Sequence, residues 1–199
     1  MKRKYLRIGA VMVLAVLSVL LLVSCDANKS KNSFDRQLAV TSSASSENEI
    51  KPGLYCLLAM GNGGTFSLTE KDGKEEREVW GRDFTSRVWV EVREGEVLNI
   101  SSADLQTMED RRIEGCSPTR LRDGFFYIGY DFYPGTLLVR TLASGTIDDW
   151  VCDVYANAHD LSEGPIRSYE FDSPHNIYID VAEGEFLYLK HTEVTIPPS

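Results

Sequence analysis

Val88-Trp89-Val90-Glu91-Val92-Arg93-Glu94-Gly95-Glu96-Val97-Leu98-Asn99-Ile100 reads as strand, tight turn and strand. The same pattern returns as Ile177-Tyr178-Ile179-Asp180-Val181-Ala182-Glu183-Gly184-Glu185-Phe186-Leu187-Tyr188-Leu189, without a gap, at an offset of 89 positions. Val88, Val90 and Val92 alternate with Trp89, Glu91 and Arg93, so a period of two puts the valines on one face. β-branched residues suit a pleated, half-buried surface. Arg93-Glu94-Gly95 suits a type I turn closed by a glycine in the left-handed region, the three-residue hairpin loop with a G1 bulge, and Gly184 holds the bulge position in the second copy. Each copy is therefore expected to be a β-hairpin, with Gly95 and Gly184 as structural turn residues.

Working outward, each copy predicts a β unit. In the first, Pro52-Gly53 marks a turn. Strands are expected over Leu54 to Met60, Thr65 to Thr69 and Glu78 to Phe84, before the Val88 stretch. The second opens at Gly124 to Leu137; there Leu137 to Thr141 mirrors the strand after Pro52-Gly53, Trp150 to Tyr155 mirrors Phe66 to Thr69, and Ser168 to Phe171 precedes the Ile177 stretch. Asp104 to Arg112, between the units, has room for a short helix capped by Ser102. The expected fold is all-β: two tandem related units, each a small sandwich or partly open barrel. A unit of this size buries little core alone, so the two are expected to share one body.

The N-terminal part reads differently. Lys2, Arg3, Lys4 and Arg7 precede an apolar run from Ile8 to Leu22, and Leu22-Val23-Ser24-Cys25 follows. This order predicts a secretory signal over residues 1–24, and the last four residues look like the lipobox of bacterial lipoproteins. Cys25 would then be lipidated, and the protein held on the extracytoplasmic side of the cell membrane. An uncleaved transmembrane anchor is the competing reading, but the run is short of the roughly 20 apolar residues a span needs. The organisation expected is a signal (1–24), a lipidated cysteine and flexible tether (25–49), a first repeat (50–104), a joint (105–123) and a second repeat (124–199). Serine-rich, aperiodic stretches such as Thr41 to Glu49 carry the tether reading.

Tyr127-Ile128-Gly129-Tyr130-Asp131-Phe132-Tyr133-Pro134-Gly135-Thr136-Leu137, with the Ile177 stretch after it, resembles a unit of secreted lipoproteins of Gram-positive bacteria. That unit opens on a valine-glycine, acidic, apolar-proline-x-glycine-x-tyrosine strand. It closes on a threonine-valine, acidic-glycine, tyrosine-leucine hairpin. Leu137 stands in place of the tyrosine, and the first copy lacks the valine-glycine lead. The resemblance implies a small all-β unit and carries over no catalytic residue.

The chain has a formal net charge of -9. Removing the four cationic groups of the signal leaves about -13, which argues against nucleic acid or anionic lipid as a partner. Cys56, Cys116 and Cys152 allow one disulfide with a leftover, or buried thiols. His159, His175 and His191 are evenly spaced, but regular spacing does not bring ligands together in a β fold, so no metal or other cofactor is expected. Asp148, Asp149, Asp153 and Asp160 read as a solvated acidic loop, since no calcium-loop pattern is present. No nucleophile elbow or phosphate loop is found.

The outward residues that repeat, Trp89 with Tyr178 and Glu91 with Asp180, are the candidate contact face. Aromatics beside carboxylates on a strand suit sugar or polymer contact. The competing reading buries both faces. The function expected is a non-catalytic envelope lipoprotein, a binding or adaptor module for an envelope polymer or another envelope protein. The alternative is a hydrolase acting on an envelope polymer or glycan.

Overall fold

The computed structural model describes residues 35–72, 75–109 and 122–195. The signal segment, Cys25, the first ten residues of the tether, most of the joint and Cys116 lie outside them. The described residues belong to one compact unit and form an all-β fold, with a single short 3-10 turn at Ile147–Asp149. The first repeat supplies β1 (Arg36–Val40), β2 (Glu49–Ile50), β3 (Gly53–Ala59), β4 (Gly64–Asp72), β5 (Glu75–Phe84), β6 (Arg87–Val92), β7 (Glu96–Ser101) and β8 (Ala103–Thr107). The second supplies β9 (Arg122–Tyr127), β10 (Gly135–Thr141), β11 (Val151–Tyr155), β12 (Arg167–Ser168), β13 (Asn176–Val181) and β14 (Phe186–Thr195).

One sheet runs β2-β1-β7-β4-β5 and the other β12-β11-β14-β9-β6-β3-β8, with β10 paired to both β13 and β14. The sheets do not close into a barrel and are consistent with a sandwich. The duplication is visible in the registers. Gly53 opposes Val92 on β3 and β6, and Gly135 opposes Val181 on β10 and β13. Leu68 opposes Leu98 on β4 and β7, as Val154 opposes Leu187 on β11 and β14. Leu38 opposes Leu98 on β1 and β7, as Phe126 opposes Leu187 on β9 and β14. Even a strained residue repeats: Ser102 and His191 have φ 53 and 51, and their amides donate to Asp35 Oδ1 (3.2 Å) and Asp123 Oδ1 (2.5 Å). In the second copy the counterparts of β7 and β8 are one strand, β14, bent at His191.

These pairings correct four expectations. The organising stretch is strand, turn and strand, but not a paired hairpin. β6 bonds to β3 and β9, while β7 bonds to β1 and β4, so the turn carries the chain between sheets. β13 and β14 are likewise not bonded to each other; β10 lies between β13 and the end of β14. The tether is shorter than 25–49, because Arg36–Val40 forms β1 and Glu49–Ile50 forms β2. Asp104 to Thr107 is part of β8 rather than a helix, since pairing with β3 overrides the weak helical pattern. The second repeat starts at least as early as Arg122, in β9, the counterpart of β1.

The turn chemistry is the same in both copies. Glu96 N donates to Arg93 O (3.2 Å), and Glu185 N to Ala182 O (3.3 Å). Gly95 and Gly184 sit third in these turns with φ 86 and 88, the geometry of a type II turn rather than the expected type I turn with a G1 bulge, which needs the flanking strands to pair with each other. No atom stands within 4 Å of a Cβ added at either, so a side chain would meet backbone strain alone. Gly95→Val and Gly184→Val are each expected to cost about 1–3 kcal/mol. Melting temperatures equal to that of the parent chain in both variants would show that these turns tolerate the left-handed strain.

Two apolar clusters form the core. The first holds Leu38, Leu68, Trp80, Val88, Trp89, Val90 and Leu98 of repeat one. The second holds Phe126, Val139, Val154, Ile179, Leu187 and Leu189 of repeat two. β9 joins them: Phe126 points into the second cluster, while its neighbour Phe125 enters the first. Alternation along one strand thus gives each repeat a face of β9. Val88 and Phe125 are bridged where β6 meets β9 in parallel. A Cβ at Gly124 would lie 2.5 Å from Ser86 Oγ and 2.7 Å from Arg87 O, so this approach requires glycine.

Candidate functional site

The expected contact face is split by the structure. Trp89 is 0% exposed and Tyr178 73% exposed, although the registers make them equivalent. Trp89 is therefore not a surface anchor. Its ring lies 5.7 Å from that of Tyr127 and 5.0 Å from that of Tyr130, both from repeat two. Glu91 is half-buried and bonded through its amide to Ala158 O at 2.9 Å. Asp180 is exposed and accepts from Thr136 Oγ1 at 2.6 Å. Repeat two covers the β6 face, whereas among the described residues no strand pairs with the outer edge of β13.

What the sequence reading missed are two buried polar pairs joining the repeats. Asp131 accepts from Arg87 Nη1 (2.5 Å), Trp89 Nε1 (2.5 Å) and the Tyr127 amide (2.9 Å). Both charged residues are buried, so the carboxylate neutralises the guanidinium and receives three donors away from water. Glu96 takes the Arg93 amide at 2.6 Å on one oxygen, and the other lies 2.6 Å from His159 Nε2. Its counterpart Glu185 takes the Ala182 amide at 2.8 Å and Arg167 Nη2 at 2.5 Å. For Glu185, burial raises the carboxyl pKa, but the Arg167 hydrogen bond, the Ala182 amide and the Arg167 charge outweigh it and leave the pKa lowered. The Glu-Gly-Glu triplet of both copies was legible as a signal for this use.

The three histidines have separate partners. His159 meets Glu96, His175 Nδ1 lies 2.6 Å from Ser173 O, and His191 Nδ1 lies 3.4 Å from Ser144 Oγ. Among the described residues, no group of three or more His, Cys, Asp or Glu side chains is placed to hold a metal ion. Asp149 accepts from Thr146, Asp160 from the Ser162 amide and Asp153 from Ser168 Oγ, so these carboxylates serve local turns and strands. Cys56 and Cys152 are buried in different clusters. Burial first, and then the charge of Asp153, push the Cys152 thiol up to about 12.

A cleft of about 390 Å³ opens where the repeats meet. Repeat one gives it the Asn62-Gly63-Gly64 loop and the end of β5, Arg82 to Phe84; repeat two gives Asp123 to Phe125 and Tyr188 to His191. Two strained residues stand on its wall, Asp123 with φ 49 and His191 with φ 51. The strain at His191 recurs at Ser102 and belongs to the fold. Arg82 lies across the repeat boundary, its guanidinium carbon 4.0 Å from the Tyr188 ring centroid. Asp153, the cross-strand neighbour of Tyr188, has its pKa raised, chiefly by burial, against the lowering effects of the Ser168 hydrogen bond and the Arg82 charge. No protein-family model, curated protein or solved structure matches this chain.

Proposed function

We propose that the chain is a lipid-anchored, non-catalytic module on the extracytoplasmic side of the cell membrane, holding an envelope polymer or another envelope component in the cleft between its repeats. The observation that carries this reading is the cleft itself, a concavity to which both repeats contribute side chains. Sites between packed units are a common place for ligands. The best-buried carboxylates, Asp131 and Glu96, are committed to partners across the repeat boundary. A thiol with a pKa near 12 is almost wholly protonated at neutral pH, so Cys152 is a poor nucleophile. The hydrolase alternative has one group in its favour, Asp153, whose raised pKa suits a proton donor. A glycosidase of the common kind needs a second carboxylate at a set distance, and the Asp153 carboxylate is held by Ser168.

The anchor rests on the basic start, the apolar run and the lipobox-like Leu22-Val23-Ser24-Cys25. Cys25→Ala is expected to leave the membrane fraction or mislocalise. Wild-type membrane retention of that variant would assign the apolar run to a transmembrane anchor. For the binding function, the expected result is retention of the purified chain on envelope polymer with no fragments released. Released fragments that accumulate with time would overturn the non-catalytic reading in favour of the hydrolase.

A further inference from the structure

We infer that the cleft between the repeats takes a carboxylate or phosphate group carried on a ring-sized body, with Arg82 as its anchor. The inference deepens the binding reading above and names the chemistry that reading leaves open.

Arg82 differs from five other arginines of the chain. Arg77, Arg87, Arg93, Arg140 and Arg167 each hold a carboxylate. Arg82 holds none, in a chain with 30 acidic residues. Its Nε and Nη1 are shielded from solvent and have no hydrogen-bond acceptor in the protein. Aromatic faces are its neighbours: Tyr188 at 4.0 Å, Trp80 at 5.5 Å and Phe125 at 6.0 Å from the guanidinium carbon. Such faces attract a cation but satisfy none of its N–H groups in the plane. Buried donors without acceptors are costly and rare, and each calls for a reason. An oxyanion in the cleft supplies one once the Arg82 side chain turns an enclosed edge toward it, and the guanidinium fork, Nη2 with Nε or with Nη1, matches carboxylate and phosphate geometry.

The cleft beside Arg82 suits the rest of such a ligand. Lys190 and His191 on its wall add two groups able to donate to an anion. Two carboxylates also line it. Asp123 is occupied by the His191 amide at 2.5 Å, and Asp83 is exposed to solvent, where its charge is screened. Phe84, Val88, Phe125 and Leu189 make the remaining wall apolar, and about 390 Å³ accommodates a single ring.

The test is a titration of the lipidated full chain in detergent, followed through the ¹⁵N-labelled arginine Nε–H resonances. Probes are benzoate, glucuronate and inorganic phosphate, with neutral benzamide as the control. A saturable shift of the Arg82 resonance with an oxyanion probe, absent with benzamide, is expected. Response to benzoate and glucuronate alone identifies a carboxylate ligand; response to phosphate alone identifies a phosphorylated one. Arg82→Gln should weaken binding by about tenfold or more. If that variant fails to fold, Lys190→Gln, on an exposed side chain, should weaken binding by roughly 2–5-fold with unchanged melting. No shift up to the solubility of every probe, equal shifts with benzamide, or parent-like affinity in whichever of these variants folds would overturn the inference. Polymer retention separates the two readings. Retention unaffected by Arg82→Gln leaves the binding module standing without this site. Oxyanion binding without polymer retention leaves the site standing without the envelope ligand.

Discussion

Trp89→Ala is expected to cost the fold about 3–5 kcal/mol. Tyr178→Ala, at the equivalent place in the second repeat, is expected to stay within about 0.5 kcal/mol of the parent. The asymmetry follows from exposure: the Trp89 side chain is buried in the first cluster against Tyr127 and Tyr130, and Tyr178 faces solvent. Truncating Trp89 opens a cavity at the boundary between the repeats and removes the indole N–H from Asp131. Urea midpoints of the two variants, with slopes compared to exclude a change in the unfolded state, measure the difference. Similar small losses in both would show that the two repeats do not share a core at β6. Retention on a polymer by the folded Tyr178→Ala protein should match the parent, because the proposed ligand cleft lies elsewhere.

Asp131→Ala is expected to have an effect of comparable size, about 3–5 kcal/mol, for an electrostatic reason. The substitution leaves the buried Arg87 guanidinium, the Trp89 indole and the Tyr127 amide without their common acceptor. A buried charge stripped of its partner costs more than the pair contributed, since the desolvation of the remaining ion is no longer offset. The double variant Arg87→Met with Asp131→Leu removes both charges and should recover part of the loss. It should not recover all of it, because the indole and the amide remain unmatched. A melting temperature like that of the parent for Asp131→Ala, or a double variant less stable than Asp131→Ala, would show that the pair does not tie the repeats together.

These outcomes follow from what neighbouring units do to identical local patterns. The duplication was legible because apolar alternation and the Glu-Gly-Glu turns are local signals, and they place the left-handed glycines and most expected strands; of Ser168 to Phe171, however, only Ser168 lies in a strand, the two-residue β12 at a sheet edge. Partnership was not legible. The same alternation with a short glycine turn serves a hairpin and a passage between sheets, and only long-range pairing decides between them. Trp89 and Tyr178 are alike in pattern, yet Trp89 meets a second repeat and Tyr178 does not. Asp131 reaches Arg87 across 44 positions, and Glu96 lies 63 positions from His159. No periodicity carries information over such separations. β1 was missed because Arg36-Gln37-Leu38-Ala39-Val40 is a short alternation beside serine-rich sequence, and only the sheet it joins through β7 gives Leu38 and Val40 a reason to be buried. Arg82 was passed over as one cation among 21.

Among the described residues the outer edge of β13 is unpaired, and here the second repeat differs from the first. Repeat two docks on the β6 edge of repeat one, so the contact is heterologous: one kind of surface meets another. Such contacts have no built-in end and, if both surfaces were kept, would build a filament from identical chains. On the surface corresponding to the covered one, Asn176, Tyr178 and Asp180 stand exposed where Arg87, Trp89 and Glu91 meet repeat two. Polar replacement at the last unit is how solenoids terminate their stacking. Exposed Asn176, Tyr178 and Asp180 thus do not offer a further unit the seat that Arg87, Trp89 and Glu91 offer the second repeat.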